Sequence, residues 1–390
     1  MFIIKSDALK SVVSMLVKSA RKAGIGDKTI YIRTLDDGLV SFYYHAIEIS
    51  VEKKVSAEIH GNLEVATSIG ELDVKVTALP DEIEVTVEKT SGGPVQFTWG
   101  GSGKRRSCLK LDVLPETSPM VEVPPFEEIV NWKPGELHNL VRHIPPFTLD
   151  SKSPKADQLS NTLGPNFSKD DTGRVIIRAT DGVKGVIMYP KQMEWFDDTM
   201  SIHISALQGV ADVIPSDARI QVGLSGGTVV IFKAGYTTAV CRTLVGKFPP
   251  IAQLFKTKTK GKMNIDRLEL IKLCERVRRL APTYPVVQFY VEGNKVSAVI
   301  SGVLEQALPA SVDGEVPSFA VMANHLEKAA QLFEMSRSAD ELTLYVNAFN
   351  EAVSIAHDGN EDIRLWVLPY TSQFIKGINN TSSKRIPTTV

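Results

Sequence analysis

The chain has 390 residues, 43% of them apolar and 23% charged, with 44 Lys plus Arg against 45 Asp plus Glu. That length and balance provide for two to four domains of about 100–200 residues with real cores, and they exclude disorder over most of the chain. The net charge of −1 excludes a protein that is basic throughout but not one with local basic patches. The three cysteines, Cys108, Cys241 and Cys274, are far apart and lack Cys-x-x-Cys or Cys/His ligand spacing. Neither a disulfide framework nor a structural metal is expected. Apolar runs stay well short of the ~20 residues that span a bilayer, and the first residues lack the pattern of a signal peptide. A soluble, cytoplasmic protein without a membrane partner is expected.

A short strand and an amphipathic helix are expected over Met1–Ala23. Leu9, Val12, Val13, Leu16, Val17 and Ala20 recur at helical spacing and form the core stripe. Lys10, Lys18, Arg21 and Lys22 lie off it. A strand pair over residues 30–33 and 40–44 turns at Asp36-Asp37-Gly38, a strong hairpin signal. Then come a helix near 67–79, a strand pair over 82–88 and 95–99, and a last strand ending at Pro115. Residues 116–125 are Pro-rich and read as a linker.

The same order returns. Residues 129–144 read as strand and helix, with Lys133, His138, Arg142 and His143 on the helix. Residues 151–171 are polar and read as a long loop. A strand pair over 175–178 and 185–188 turns at Asp181-Gly182. A helix near 205–214, a strand pair over 219–224 and 228–232, and a strand ending at Pro249 complete this stretch. After a Lys/Thr-rich linker over 255–262, strand and helix recur over 262–280. Leu270, Leu273, Cys274, Val277 and Leu280 share one helix face, and Lys272, Arg276 and Arg279 share the other. Strands over 287–291 and 296–300, a helix near 323–333, a strand pair over 341–346 and 352–357, and a strand ending at Pro369 follow.

Helix starts near residues 6, 134 and 264, and closing prolines at 115, 249 and 369, give a period of about 130. The chain therefore reads as an α+β protein of three similar domains, each with two helices on antiparallel sheets. The expected boundaries are 1–122, 123–254 and 255–371, with a flexible tail over 372–390 rich in Ser, Thr and Asn. A charged helix face is ordinarily just a solvated one. Here the basic face recurs on the equivalent helix of three repeats of a neutral chain, which suits a phosphate backbone read without base contacts.

Catalytic patterns are missing. Gly100-Gly101-Ser102-Gly103-Lys104-Arg105 resembles a phosphate loop, but Thr98 stands where its first Gly belongs and Arg105 where Ser or Thr would bind magnesium. A basic hairpin turn is the better account. The seven histidines are scattered, with no pair at metal spacing. No enzyme, cofactor or metal site is expected.

Three motifs carry a resemblance. Arg178-Ala179-Thr180-Asp181-Gly182, Val245-Gly246-Lys247-Phe248-Pro249 and Trp366-Val367-Leu368-Pro369-Tyr370 stand, in order within the triple repeat, where bacterial sliding clamps have their signatures. In that layout residues 1 to about 370 resemble the β subunit of DNA polymerase III, in a divergent form such as a phage would encode. The resemblance implies a processivity factor without catalysis, a head-to-tail homodimeric ring of clamp domains that encircles duplex DNA and tethers a polymerase. Twelve helices packed at 8–10 Å line about 120 Å of circumference and leave a hole of roughly 28 Å, whereas six leave roughly 10 Å. A duplex with its water needs the larger hole.

The recurring basic helix faces make Lys10, Lys18, Arg21, Lys22, Arg142, Lys272, Arg276 and Arg279 the candidate DNA-facing cations. The family implies further residue roles. A pocket for a short peptide from polymerase, clamp loader or repair proteins maps to Leu163, Thr180, Gly182, Pro249, Leu254, Tyr284, Val367, Leu368, Pro369 and Tyr370. The chain departs from the family at Val183-Lys184-Gly185, where His-Arg-Leu is common, and at Ala320 and Ala323, where the wall is usually polar and aromatic. An apolar pocket of altered shape is expected. Leu109 and Leu111 map to the dimer interface, against ordinary burial within their own domain. Gln373-Phe374-Ile375 loosely resembles a partner peptide, against a plain disordered tail. Two rivals stand beside the clamp: a repeat-built assembly protein that never encircles DNA, and an enzyme whose site lacks a sequence motif.

Overall fold

The computed structural model describes residues 1–23, 29–90, 93–100, 106–115, 123–256, 258–300, 303–335, 340–357 and 360–370. The 372–390 tail, its Gln373-Phe374-Ile375 and the loop over 101–105 lie outside them. Six helices occur among the described residues: α1 (Ser6–Lys22), α2 (Ile69–Thr77), α3 (Glu136–His143), α4 (Ile204–Val213), α5 (Arg267–Leu280) and α6 (Ala323–Leu332). None is long and apolar enough to cross a membrane. The chain forms two compact units, residues 1–142 with 192–245, and residues 143–191 with 246–390.

In the first unit, five antiparallel strands run in the order Glu58–Ile59, Phe2–Lys5, Glu84–Lys89, Val95–Trp99, Ser107–Leu111. A second antiparallel run orders Glu64–Ser68, Thr29–Thr34, Leu39–His45, Ile49–Ser56, Thr237–Leu244, Val229–Ala234, Ile220–Ser225 and Glu128–Trp132. Its central seam, Thr237↔Lys53 to Cys241↔Ile49, joins the first repeat to part of the second. The stripe on α1 behaves as its periodicity dictates, since Leu9, Val12, Val13, Leu16 and Val17 are buried. Ser19 donates to the Gly209 carbonyl of α4 at 2.8 Å. A Cβ at Gly209 would come within 2.9 Å of that hydroxyl, so glycine sets how closely these helices approach.

The second unit repeats the pattern. Its antiparallel run is Asn166–Lys169, Val175–Thr180, Lys184–Met188, Asn360–Val367, Val353–His357, Glu341–Val346, Gly261–Asp266 and Ala310–Gly314. The seam here is Lys184↔Val367 to Met188↔Ile363. A four-stranded sheet orders Leu304–Leu308, Lys295–Ile300, Val286–Glu292 and Phe319–Met322. On α5, Leu270, Leu273, Cys274 and Val277 are buried. Leu280 corrects the expectation: it is exposed at the last position of the helix, where the stripe ends. Strand Asn166–Lys169 likewise corrects the long loop expected over 151–171.

His203 caps α4, its Nδ1 accepting from the Ser205 backbone N–H at 3.1 Å. Burial lowers its pKa from the ordinary 6.5, against a smaller opposing pull from Glu48. The folded state thus favours the neutral ring, and the unfolded chain binds the proton first. This contribution to stability is full above about pH 6.5 and is lost as pH falls toward the folded value. Replacing His203 with Gln should flatten that part of the stability–pH curve between pH 7 and 5, measured by urea unfolding. An unchanged slope would rule the cap out as its source.

Candidate functional site

Residues 178–182, 246–249 and 366–370 of the three signature motifs come together in the second unit. Thr180 is buried, donating its hydroxyl to the Lys184 carbonyl at 2.8 Å and accepting from the Gly182 N–H at 3.0 Å. Asp181 Oδ1 accepts from the N–H groups of Val183 and Lys184, both at 2.9 Å. Gly182 has φ +89°, which a side chain would strain. This locked turn holds Val183 at the seam, where its carbonyl accepts from the Leu368 N–H at 2.8 Å. Lys184, where the family commonly has Arg, does not reach into solvent. Its side chain is buried and paired with Asp181. His325 of α6 is held below its ordinary pKa by burial first and by the Lys184 charge second.

Gly185 sits opposite Trp366 in the register. A Cβ there would lie 2.7 Å from the indole, so the missing side chain is what lets the indole pack onto the strand. Trp366 centres an apolar cluster with Ile176, Ile187 and Ile251, and Tyr189, Phe248, Leu254, Ala352 and Leu368 pack half-buried against it. The Pro249 carbonyl accepts from the Ile251 N–H at 2.8 Å and opens the short turn that carries Leu254. Asn161 donates to the Lys247 carbonyl and ties the segment before Leu163 to this motif. Tyr370 is anchored through its N–H to the Ala320 carbonyl at 2.8 Å.

Of the ten expected pocket residues, Leu254 and Leu368 lie on the cluster. Thr180, Gly182, Pro249 and Tyr370 shape its supporting backbone. Val367 is fully buried, so it supports the seam and does not line an open wall. Leu163 and Pro369 are half-buried, Tyr284 is 69% exposed, and none of the three belongs to the cluster. Ala320 and Ala323 are core residues with no exposure, so their small size does not reshape an accessible wall. Sequence reasoning missed Ile176, Ile187, Ile251 and Trp366. Trp366 stands inside a motif already singled out, but Ile176 and Ile187 lie in strand runs whose neighbours are buried too, so no alternation marks their face.

The helix cations are less uniform than their spacing predicts. In the first unit Lys10 pairs with Asp81 at 2.5 Å, Arg21 with Asp73 at 3.3 Å and Lys22 with Asp212 at 3.0 Å. Lys18 and Arg142 are exposed without an ion-pair partner among the described residues. In the second unit Lys272 pairs with Glu269 at 2.9 Å and Arg276 donates to the Gln306 amide, while Arg279 is exposed without such a partner. Each of these pairs has at least one substantially exposed partner, and such pairs contribute little and exchange readily.

Strand Ser107–Leu111 is the edge of its sheet, bonded on one side to Val95–Trp99. Leu109 is half-buried there, but Leu111 has no exposure. Leu111 therefore corrects its expected place in a dimer contact, because its side chain is already used by its own core. Strand Leu304–Leu308 is likewise an edge in the second unit. Among the described residues no group of three His, Cys, Asp or Glu side chains could hold a metal ion.

No family model matches the chain, and no curated protein matches it. Solved structures do match. The DNA polymerase sliding clamp from Bacillus subtilis is 19% identical at a TM-score of 0.80, covering 95% of this chain and 99% of that one. The DNA polymerase III subunit beta from Pseudomonas aeruginosa is 15% identical at 0.81, over 95% and 99%. Caulobacter crescentus pol III beta is 14% identical at 0.82, over 95% and 100%. Over 95% of its length, then, this chain has the fold of the DNA polymerase III beta subunits.

Proposed function

We propose that this protein is a DNA sliding clamp, a processivity factor that encircles duplex DNA and tethers a replicative polymerase without catalysis of its own. The observation that carries this is the extent of the likeness. It takes in 95% of the chain and essentially all of each neighbour, so no extra or missing layer points to another use of the fold. Three repeated domains, 1–122, 123–254 and 255–371, come from each of two copies joined head to tail. Edge strand Ser107–Leu111 offers exposed Lys110 beside half-buried Leu109, with exposed Arg106 just before it, and edge strand Leu304–Leu308 carries exposed Glu305. Opposite charge and two open backbone edges support a contact between these strands of different copies.

Basic faces of α1, the end of α3 and α5 meet the phosphates. Contacts through water and exchangeable ion pairs let the ring slide, and topology prevents escape. The cluster around Trp366 receives peptide segments of the polymerase and of a clamp loader. The setting is the cytoplasm. Native mass in solution checks the ring: a species of twice the 42.7 kDa chain is expected at micromolar concentration. A strict monomer, with and without DNA, would sink the head-to-tail ring.

A further inference from the structure

The sheet face that carries the apolar cluster also carries guanidinium groups. Alternate residues of a strand and their cross-strand partners share a face. The registers Arg178↔Ile187 and Ile187↔Arg364 therefore put both arginines in the row of Ile187, on the face of Ile176 and Trp366. Arg174 lies over the Tyr189 ring at 4.0 Å, and Arg364 is 5.2 Å from that ring and 5.7 Å from Phe255.

Nearby cations are matched: Arg174 with Asp170 at 3.4 Å, Lys191 with Asp362 at 2.9 Å, and Lys256 with Glu351 at 2.9 Å. Arg178 and Arg364 have no carboxylate partner among the described residues. Arg178 donates to neutral acceptors, Ser168 Oγ at 3.1 Å and Asn166 Oδ1 at 3.5 Å. Burial pushes its pKa down. Half-buried guanidiniums met by hydroxyl, amide and ring faces leave their strongest partner, a carboxylate, to come from outside.

We propose that this face docks an extended partner segment that is both apolar and acidic. Its apolar side chains seat on Leu254 and Leu368, the half-buried rim of the cluster, and an Asp or Glu side chain reaches Arg364 and Arg178. This rests on the partner-segment pocket proposed above and adds the chemistry of its ligand. Trp366 and Arg364 are two residues apart on one strand, about 7 Å, which matches alternate side chains of an extended segment. A phosphate backbone fits less well, because it gains nothing from the aliphatic side chains of Leu254 and Leu368. The chain's own residues 371–390 have the wrong sign, with Lys376, Lys384 and Arg385 and no acidic residue.

The test titrates the full-length protein with capped seven-residue peptides. Each carries Leu at two alternate positions and Glu at the next alternate position, before or after them, and each has a counterpart with Gln for Glu. The Glu peptides are expected to bind about tenfold more tightly than their Gln counterparts, with the advantage shrinking as salt rises. In the Arg178→Gln, Arg364→Gln double variant the advantage should vanish while the Gln peptides bind as before. If that variant fails to fold by circular dichroism, Arg364→Lys alone should cut the advantage, since it keeps the charge and loses the fork. Equal binding of Glu and Gln peptides to the unaltered protein overturns the acidic requirement and leaves the pocket standing. Binding of neither overturns both. Displacement of a bound Glu peptide by a short single-stranded oligonucleotide of random sequence would assign the face to nucleic acid and overturn the proposal.

Discussion

Trp366→Ala is expected to lower the free energy of unfolding by about 3–5 kcal/mol. The indole is 1% exposed, the centre of a cluster that three isoleucines complete. Opposite it stands Gly185, whose missing side chain leaves the indole its seat. Truncation would therefore open a cavity flanked by a residue with nothing to move into it, on the seam that joins Lys184–Met188 to Asn360–Val367. Urea unfolding should show a lower midpoint with a broadly unchanged slope. The converse change, Gly185→Ala, should cost about 1–3 kcal/mol through overpacking. A loss below about 1 kcal/mol for Trp366→Ala would mean that the cluster is not a packed centre, and the pocket built on it would go too.

The second large effect falls on function. Leu368→Ala with Tyr370→Ala should remove most stimulation of a cognate polymerase, while native mass and retention on circular DNA stay as they were. Leu368 packs half-buried on the Trp366 cluster, where a partner side chain would complete its burial. Tyr370 is held at its backbone by Ala320, which leaves its half-buried ring able to act as an aromatic anchor. Central apolar and aromatic anchors of this kind carry about 2 kcal/mol or more each, so losing two should weaken a partner segment by hundreds-fold or more. Undiminished stimulation by a variant that folds would remove the pocket assignment while leaving the ring untouched.

The sequence shows the helices best, because burial on one side writes a 3.6-residue period. The buried positions of α1 and α5 follow that period, up to Leu280, the exposed last residue of α5. Seam strands are harder to read. Ile49–Ser56 interrupts its alternation with Glu52, Lys53 and Lys54, and what holds it is Thr237–Leu244, nearly two hundred residues away. Lys53 illustrates the difficulty. It reads as a surface residue, yet it is half-buried and donates to Thr237 Oγ1 at 2.9 Å, with burial pulling its pKa down. Strand Asn166–Lys169 hides for the same reason: its polar residues serve Arg178 across the sheet.

Site residues divide in a similar way. Motif positions such as Thr180, Gly182 and Leu368 are legible because turn chemistry and family spacing fix them locally. Ile176, Ile187 and Trp366 are not, since their role appears only when two distant strands pair. The cations on α1 and α5 are legible as a basic face, but Asp73, Asp81 and Asp212, which pair with three of them, come from other elements.

Retention on DNA tests the clamp most directly. The protein, loaded or assembled on a closed circular duplex, is separated from free protein by gel filtration, before and after a single restriction cut. A sliding ring stays with the circle through moderate salt and runs off the linear molecule, because topology and not affinity holds it. Retention that is the same on circle and line, or lost from both at one salt concentration, would show ordinary electrostatic binding and contradict the encircling clamp.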